Sequence, residues 1–97
     1  QNVFLVILPI KAMKKQEIFY VYILFSDKFN RFYVGMTNNL DRRFKEHNLL
    51  RVKSTKAFSP WVIVHKEIFD AREDARKREK YLKSSAGRRW RKNYMGH

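Results

Sequence analysis

The strongest constraint on the fold is a pair of β-strand patterns separated by a short polar turn. Residues 19–25 are dense in aromatic and β-branched side chains and are apolar on both faces of a strand, which is typical of the central strand of a sheet. Turn-forming residues follow at 26–30, and residues 31–36 resume the β pattern, so the two runs predict a β-hairpin. The hairpin would set two tyrosine triplets side by side, Tyr20-Val21-Tyr22 and Tyr33-Val34-Gly35.

A short amphipathic helix is predicted directly after the hairpin, ending near Asn48. Its cap is expected to be one of three polar residues, Thr37, Asn38 or Asn39. Side chains at positions i, i+4 and i+7 form one stripe on this helix, namely Leu40, Phe44 and His47. Arg43 lies one turn from His47, so both are expected to flank the buried stripe of the helix.

The second half of the chain predicts one more strand and two more helices. In order, the expected elements are a basic polar loop over 49–60, a strand over 61–69, a helix over 71–84 capped by Asp70, a break at 85–87 and a short basic helix over 88–94. The complete order is β-β-α-β-α-α. It predicts an α+β fold in which a small three-stranded antiparallel sheet is flanked by helices.

Glu79 interrupts the apolar stripe of the second helix. It lies four residues after Ala75 and three before Leu82, at helical spacing from both. A carboxylate directed toward a core is costly unless a cation or a metal ion pairs with it. Glu79 is therefore a candidate for either a buried ion pair or a metal ligand.

The charge of the chain predicts a polyanionic partner. The 97 residues carry a formal net charge of +13, which favours nucleic acid over an anionic membrane or an acidic protein. Cysteine is absent, which excludes a thiol nucleophile, a disulfide and a thiolate metal site. The first residues include an apolar run too short to span a bilayer, and a cytoplasmic location is expected.

The N-terminal residues are expected to lie outside the domain. The chain begins with Gln1, and Met13 followed by two lysines is a plausible natural start. We therefore predict that residues 1–15 form an extension, of which 1–12 are dispensable, and that residues 16–97 form one domain with a basic C-terminal tail. The alternative is that residues 1–12 add an edge strand or an apolar self-association segment.

Taken in order along the chain, these features resemble the GIY-YIG nuclease superfamily, especially its small single-domain members. The resemblance covers about residues 18–95 and includes the run 39–43 that follows the motif glycine. One departure is Tyr20, which stands where the first family triplet has glycine. The resemblance implies a metal-dependent endonuclease that hydrolyses DNA, with a role in DNA repair or recombination, while RNA remains an open alternative.

The resemblance assigns the metal and the proton transfer to two residues. Glu79 would hold a divalent ion, Mg²⁺ or Mn²⁺, and Tyr22 would take the proton from the attacking water, its phenol pKa being lowered by the metal and nearby cations. The structural alternatives are an ion pair of Glu79 with Arg43 or Arg76, and a tyrosine that only packs in the core.

Four further residues receive roles from the same resemblance. Tyr33 would orient water or phosphate, and Gly35 would let the substrate approach the backbone. Arg43 would contact the scissile phosphate through two hydrogen bonds, and His47 would donate to that phosphate or share the proton path. Three of these residues have a purely structural alternative, which is packing for Tyr33, a solvated helix position for Arg43 and a structural role for His47.

Basic side chains of the first helix, the loop and the tail are expected to contact phosphates without reading sequence. They are Arg42, Arg43, Lys53, Lys56, Arg88, Arg89, Arg91 and Lys92. A catalytically inactive basic nucleic-acid-binding module is the main alternative function, and a structural basic protein would not explain Glu79. Cutting both strands with one small site would require a homodimer or two successive events.

Overall fold

The computed structural model describes residues 17–96, so the predicted N-terminal extension lies outside the described residues. The elements follow the predicted β-β-α-β-α-α order, with a short 3-10 helix in the loop before the third strand. Their bounds are β1 (Phe19–Ser26), β2 (Arg31–Thr37), α1 (Leu40–Asn48), the 3-10 helix (Lys56–Phe58), β3 (Val62–Phe69), α2 (Arg72–Lys83) and α3 (Ser85–Met95).

The three strands form one antiparallel sheet in the order β2-β1-β3. The prediction that β1 is the central strand is confirmed. In the hairpin register, Tyr22 pairs with Gly35 and Leu24 pairs with Tyr33. The β1–β3 pairing shifts between Ile23 and Leu24, which marks an irregularity in that ladder. The two tyrosine triplets therefore meet at one cross-strand pair, Tyr22–Gly35, instead of lying side by side along their whole length.

The apolar residues of β1 are buried on both faces of the sheet, against different helices. One core cluster packs α2 and part of α3 against the sheet and contains Phe19, Val21, Ile23, Val34, Ala75 and Leu82. The other packs α1 and the end of the loop against the opposite face and contains Tyr22, Leu24, Leu40 and Trp61. This division agrees with the prediction that both faces of β1 are apolar, because successive side chains in a strand point to opposite faces.

Two predicted helix boundaries are wrong. The N-cap of α2 is Ala71, which makes no side-chain capping hydrogen bond, so Asp70 is not the cap. Residues 85–87 do not form the predicted break between helices, because α3 already begins at Ser85. Ser84 alone separates α2 from α3, and its hydroxyl accepts a hydrogen bond from the backbone N–H of Gly87. Gly87 is buried, and a Cβ there would collide with the backbone of Leu82. The glycine thus permits a close contact between helices, which a sequence pattern cannot distinguish from a break.

None of the helices between residues 17 and 96 combines the length and the apolar character that crossing a membrane requires.

Candidate active site

Helix α1 starts immediately after β2 because Asn39 caps it. The Asn39 side chain accepts a hydrogen bond from the backbone N–H of Arg42 at 3.1 Å, and the Thr37 hydroxyl accepts from the N–H of Asn39 at 3.1 Å. Of the three predicted cap residues, Asn39 is the one that serves. The short connection directs Leu40 and His47 toward the sheet, where both are buried. His47 therefore lies over the face of β1 that carries Tyr22.

Tyr22 and His47 form a buried hydrogen-bonded pair. The Tyr22 hydroxyl lies 2.9 Å from Nε2 of His47, and Nδ1 of His47 lies 2.8 Å from Oγ1 of Thr55. The Thr55 hydroxyl donates its own proton toward the carbonyl of Val52 at 3.4 Å, so it accepts from Nδ1–H of His47. This assignment leaves Nε2 unprotonated. Tyr22 is then the donor and His47 the acceptor of their hydrogen bond.

Thr55 is a site residue that the sequence did not reveal. It lies in the predicted loop, where the chain folds back under α1 instead of extending into solvent. Asn48 fixes this arrangement, since its side chain accepts from the backbone N–H of Trp61 at 2.6 Å and donates to the carbonyl of Trp61 at 3.0 Å. The Trp61 indole N–H in turn donates to the carbonyl of Thr55 at 3.0 Å. No sequence motif identifies a threonine held in this way.

Burial keeps His47 neutral. Removal from water, followed by the nearby charge of Arg43, lowers the pKa of His47 from 6.5 to about 4, although the carboxylate of Glu46 acts in the opposite direction. An imidazole with this pKa is uncharged at neutral pH and can accept a proton. His47 cannot donate to a phosphate from Nε2 in the tautomer assigned here.

The phenol of Tyr22 is harder to ionise than a free tyrosine. Burial raises its pKa above the usual range, Tyr33 and Glu79 add to the increase, and Arg43 opposes it. The predicted lowering by a metal ion together with nearby cations stays a prediction, whereas the protein's own groups by themselves shift the phenol pKa upward. The reason is that burial outweighs the single arginine. Tyr22 is therefore a protonated hydroxyl at neutral pH.

Arg43 and Arg42 differ in position despite being adjacent. The Arg43 guanidinium is 3.0 Å from Glu46 and lies near enough to the Tyr22 hydroxyl to influence its pKa, with 36% of its side chain exposed. Arg42 is 60% exposed and contacts Glu46 only at 3.7 Å. Only Arg43 lies beside the tyrosine.

Tyr33 and Gly35 complete the environment of the phenol. The Tyr33 ring lies 4.9 Å from the His47 ring and 6.3 Å from the Tyr22 ring, measured between centroids. Its hydroxyl makes no hydrogen bond to a residue within 17–96. A Cβ at Gly35 would collide with the Tyr22 hydroxyl and would lie 2.9 Å from the Tyr33 ring. The absence of a side chain at Gly35 therefore leaves room for the Tyr22 phenol, and the approach of a substrate to the Gly35 backbone stays a prediction.

Glu79 is buried on α2 and paired with two cations. Its carboxylate contacts Arg76 at 3.1 Å and Lys83 at 3.0 Å, one turn away on either side. Arg76 was one of the two predicted partners, whereas Arg43 pairs with Glu46 instead. Across the described part of the chain, no hydrogen bond joins Glu79 to Tyr22, Tyr33 or His47. Its charge nevertheless raises the pKa of Tyr22, so the two groups interact electrostatically.

Glu79 would be a solitary protein ligand for a metal ion. Within residues 17–96 no group of three or more His, Asp or Glu side chains is arranged to hold a metal. A single carboxylate still fits Mg²⁺, which commonly retains several waters and takes further oxygens from substrate phosphates. Both oxygens of Glu79 face cations, so a bound ion would have to replace Arg76 or Lys83 as the partner.

The predicted phosphate-contacting residues fall into two groups. Apart from Arg42 and Arg43, which are described above, the exposed group has five members, Lys53, Lys56, Arg88, Arg89 and Lys92. Arg91 is half-buried, and its guanidinium lies 3.9 Å from the centroid of the Phe32 ring. Within the described residues none of these six cations forms a salt bridge, so their charges are available to an anion.

Comparison with known sequences identifies the family. The sequence model of the GIY-YIG catalytic domain matches residues 18–93, which span all three strands, α1, α2 and most of α3. The chain belongs to the GIY-YIG family. This is a family of nucleases that bind nucleic acid and generally use divalent metal ions. The expected α+β fold and the family resemblance are both confirmed.

The GIY-YIG relatives include several bacterial proteins of the UPF0213 group. One from Limosilactobacillus reuteri is 32% identical over 84 residues, covering 84% of this chain and 86% of that protein. One from Clostridium perfringens is 42% identical over 65 residues, covering 66% of this chain and 69% of that protein. The solution NMR structure of a UPF0213 protein from Bacillus halodurans is 32% identical, covers 75% of this chain and 80% of its own, and superposes with a TM-score of 0.47.

Proposed function

We propose that this chain is a Mg²⁺- or Mn²⁺-dependent endonuclease that hydrolyses DNA phosphodiesters with water. The observation that carries the proposal is the buried hydrogen bond of 2.9 Å from the Tyr22 hydroxyl to an unprotonated nitrogen of His47, beside the Arg43 guanidinium. A tyrosine that only packed in the core would not require a neutral histidine as its acceptor and an arginine at its side. The arrangement suits proton transfer next to a bound anion.

Tyr22 and His47 would act together as the base. As water attacks phosphorus, its proton passes to the Tyr22 oxygen while the phenol proton passes to Nε2 of His47. Tyr22 is neutral before and after this step, so the high pKa of its phenol is no obstacle. The imidazolium then formed releases its proton readily at neutral pH, because the pKa of His47 is about 4. The pair is thereby restored for another turnover.

Arg43 would bind the phosphate that is attacked. A guanidinium offers two parallel N–H groups to two phosphate oxygens, which fixes the phosphate next to the phenol. Glu46 holds the Arg43 side chain at 3.0 Å without burying it, since more than a third of that side chain is exposed. The Tyr33 hydroxyl, on the neighbouring strand, would orient the same phosphate or the water.

Glu79 would hold the metal ion. When bound there, the ion would act as a Lewis acid on the phosphoryl and leaving oxygens. The contacts of Glu79 with Arg76 and Lys83 would have to open first, and incoming phosphates offer these two cations alternative anionic partners. Metal binding at Glu79 and DNA binding would then favour each other.

The substrate within this proposal is DNA recognised by shape. The exposed lysines and arginines of the loop and of α3 suit contacts with phosphates, which carry no base sequence. Recognition of DNA structure would suit a role in repair or recombination. Cleavage of both strands would need a homodimer or two successive events.

The test is cleavage of labelled duplex, branched, gapped and single-stranded DNA, and of RNA, with and without Mg²⁺ or Mn²⁺. We expect metal-dependent cutting that falls by about 100-fold or more in Glu79→Gln, with DNA affinity unchanged or higher. Glu73→Gln is the matched control, because Glu73 is an exposed carboxylate of the same helix and should leave the rate unchanged.

Two results would count against the proposal in different ways. DNA binding without cutting under any metal condition would make the chain an inactive basic nucleic-acid-binding module. Undiminished cutting by Glu79→Gln, with Glu73→Gln equally active, would remove the metal role from Glu79 and leave the nuclease assignment standing.

A further inference from the structure

A basic groove leads away from the candidate active site between β2 and α3. It consists of two adjoining cavities that share Phe32, Arg88 and Arg91. The first cavity extends to Tyr33 and to Lys83, the partner of Glu79. The second continues along α3 to Arg89 and Lys92. Among the described residues, no acidic side chain lines either cavity, so the charged side chains of the groove are all basic.

Arg91 lies at the centre of this groove without an anionic partner. Its guanidinium is stacked on Phe32 at 3.9 Å, and among residues 17–96 its buried Nε–H has no hydrogen-bond partner. Burial, and then the neighbouring charge of Arg88, lower the pKa of Arg91. A cation held out of water and beside another cation is costly unless an anion binds. The aromatic ring fixes the plane of the guanidinium, so little side-chain entropy remains to be lost on binding.

We propose that this groove is a second phosphate site, which binds a non-scissile phosphate of the strand that is cut. Arg91 would grip the phosphate with its planar guanidinium, and Arg88 would add a second cation. The inference rests on the proposed nuclease function, because the scissile phosphate at Arg43 defines where this strand starts. It distinguishes Arg91 from Arg89 and Lys92, whose exposed side chains make only general contacts with phosphates.

A phosphate bound in the groove would also affect the ion pair between Lys83 and Glu79. Lys83 lines the cavity next to Tyr33 and contacts Glu79 at 3.0 Å. A phosphate in the groove would compete with Glu79 for Lys83 and so expose one carboxylate oxygen. Occupation of the second phosphate site would therefore favour a metal ion at Glu79.

The experiment compares Arg91→Gln with Arg72→Gln. Arg72 is the matched control, because it is likewise an arginine stacked on a phenylalanine, 4.7 Å from the centroid of the Phe19 ring, but it is exposed and does not line the groove. The first readout is the salt dependence of DNA binding without metal. We expect Arg91→Gln to reduce the slope of log K against log salt by about 1 and to weaken binding about 10-fold, and Arg72→Gln to change neither.

The second readout locates the phosphate. Single methylphosphonates, which remove the charge of one phosphate, are placed in turn on either side of the cleavage position, and single-turnover rates are measured below saturation. In the wild type, one non-scissile position should slow cleavage about 10-fold. In Arg91→Gln that position should have no additional effect, whereas Arg72→Gln should keep the wild-type profile.

Arg88→Gln provides a second variant should Arg91→Gln unfold, as judged from its thermal midpoint. The second phosphate site would be overturned by identical slopes of log K against log salt in Arg91→Gln and Arg72→Gln. It would also be overturned if Arg91→Gln and Arg88→Gln both left the methylphosphonate profile unchanged. A failure of the nuclease proposal looks different. Cleavage would then be absent with every metal, while the slope difference in metal-free binding would still decide whether the groove binds a strand phosphate.

Discussion

Acidification should destabilise the fold through His47. Its side chain is fully buried between Tyr22 and Thr55, and its pKa is lowered from 6.5 to about 4. In the unfolded chain the imidazole takes up a proton near its ordinary pKa, but in the folded protein it does not until about pH 4. The contribution of His47 to the free energy of unfolding is therefore complete above about pH 6.5, and it is lost as the pH falls from about 6.5 to about 4. The difference between the two pKa values corresponds to about 3 kcal/mol.

Urea unfolding of the wild type and of His47→Gln, from about pH 7 to about pH 4, measures this contribution. The variant is expected to be less stable at neutral pH, because glutamine cannot reproduce both hydrogen bonds. What matters is the difference in slope with pH between the two proteins, since they share every ionisable group except His47. We expect the wild type to lose about 3 kcal/mol more than the variant across the range. Equal slopes would refute the buried neutral imidazole.

The same protonation should limit activity on the acid side. If neutral His47 accepts the Tyr22 proton, cleavage should persist at about pH 6, where a free imidazole is largely charged, and should fail only as the pH approaches 4. Single-turnover rates at saturating metal and DNA provide the measurement. An acid limb centred near 6.5 in the folded protein would contradict the assigned tautomer.

Three other perturbations have defined outcomes. Tyr22→Phe keeps the packed ring but removes the donor to the imidazole, so we expect a loss of about 1–3 kcal/mol of stability and nearly all turnover; a near-normal single-turnover rate would reduce Tyr22 to core packing. Gly35→Ala places a Cβ against the Tyr22 phenol and should cost about 1–3 kcal/mol by urea unfolding, while unchanged stability would mean that the ring can move aside. Lys83→Gln frees one oxygen of Glu79 and should lower the Mg²⁺ concentration needed for half-maximal cleavage, whereas an unchanged metal dependence would show that Lys83 does not compete.

The sequence predicted those features that depend on neighbouring residues along the chain. The apolar faces of residues 19–25 were sufficient to identify the central strand, because only a strand covered on both sides tolerates such a pattern. The turn-forming residues at 26–30 were enough to predict the hairpin, although not the register in which Tyr22 pairs with Gly35. A polar residue just before Leu40 was enough to predict the start of α1, since capping is local.

The features that failed or were missed depend on contacts across the fold. Burial raises the pKa of the Tyr22 phenol and has no signal in the sequence, whereas the cations can be counted there. The lowering of this pKa by a metal ion together with those cations stays a prediction. No sequence pattern identified Thr55 as a site residue, because its position depends on a loop that Trp61 holds by donating a hydrogen bond to the Thr55 carbonyl. Gly87 was read as a break, although it allows α3 to pack closely on the end of α2. In each case the missing information was which groups lie nearby in space.

Burial on both faces of β1 links the fold to the chemistry of the site. It takes Tyr22 and His47 out of water together, and this raises the pKa of the phenol while it lowers that of the imidazole. The two shifts have opposite signs but the same result, since the phenol keeps a proton to donate and the imidazole keeps a lone pair to accept it. An exposed histidine at the same distance would be about half protonated near pH 6.5 and unable to accept in that form, whereas an exposed tyrosine, with a pKa of about 10, would already be protonated. The dry interior between β1 and α1 therefore fixes the direction of the hydrogen bond, and Gly35 makes it geometrically attainable by leaving room for the phenol.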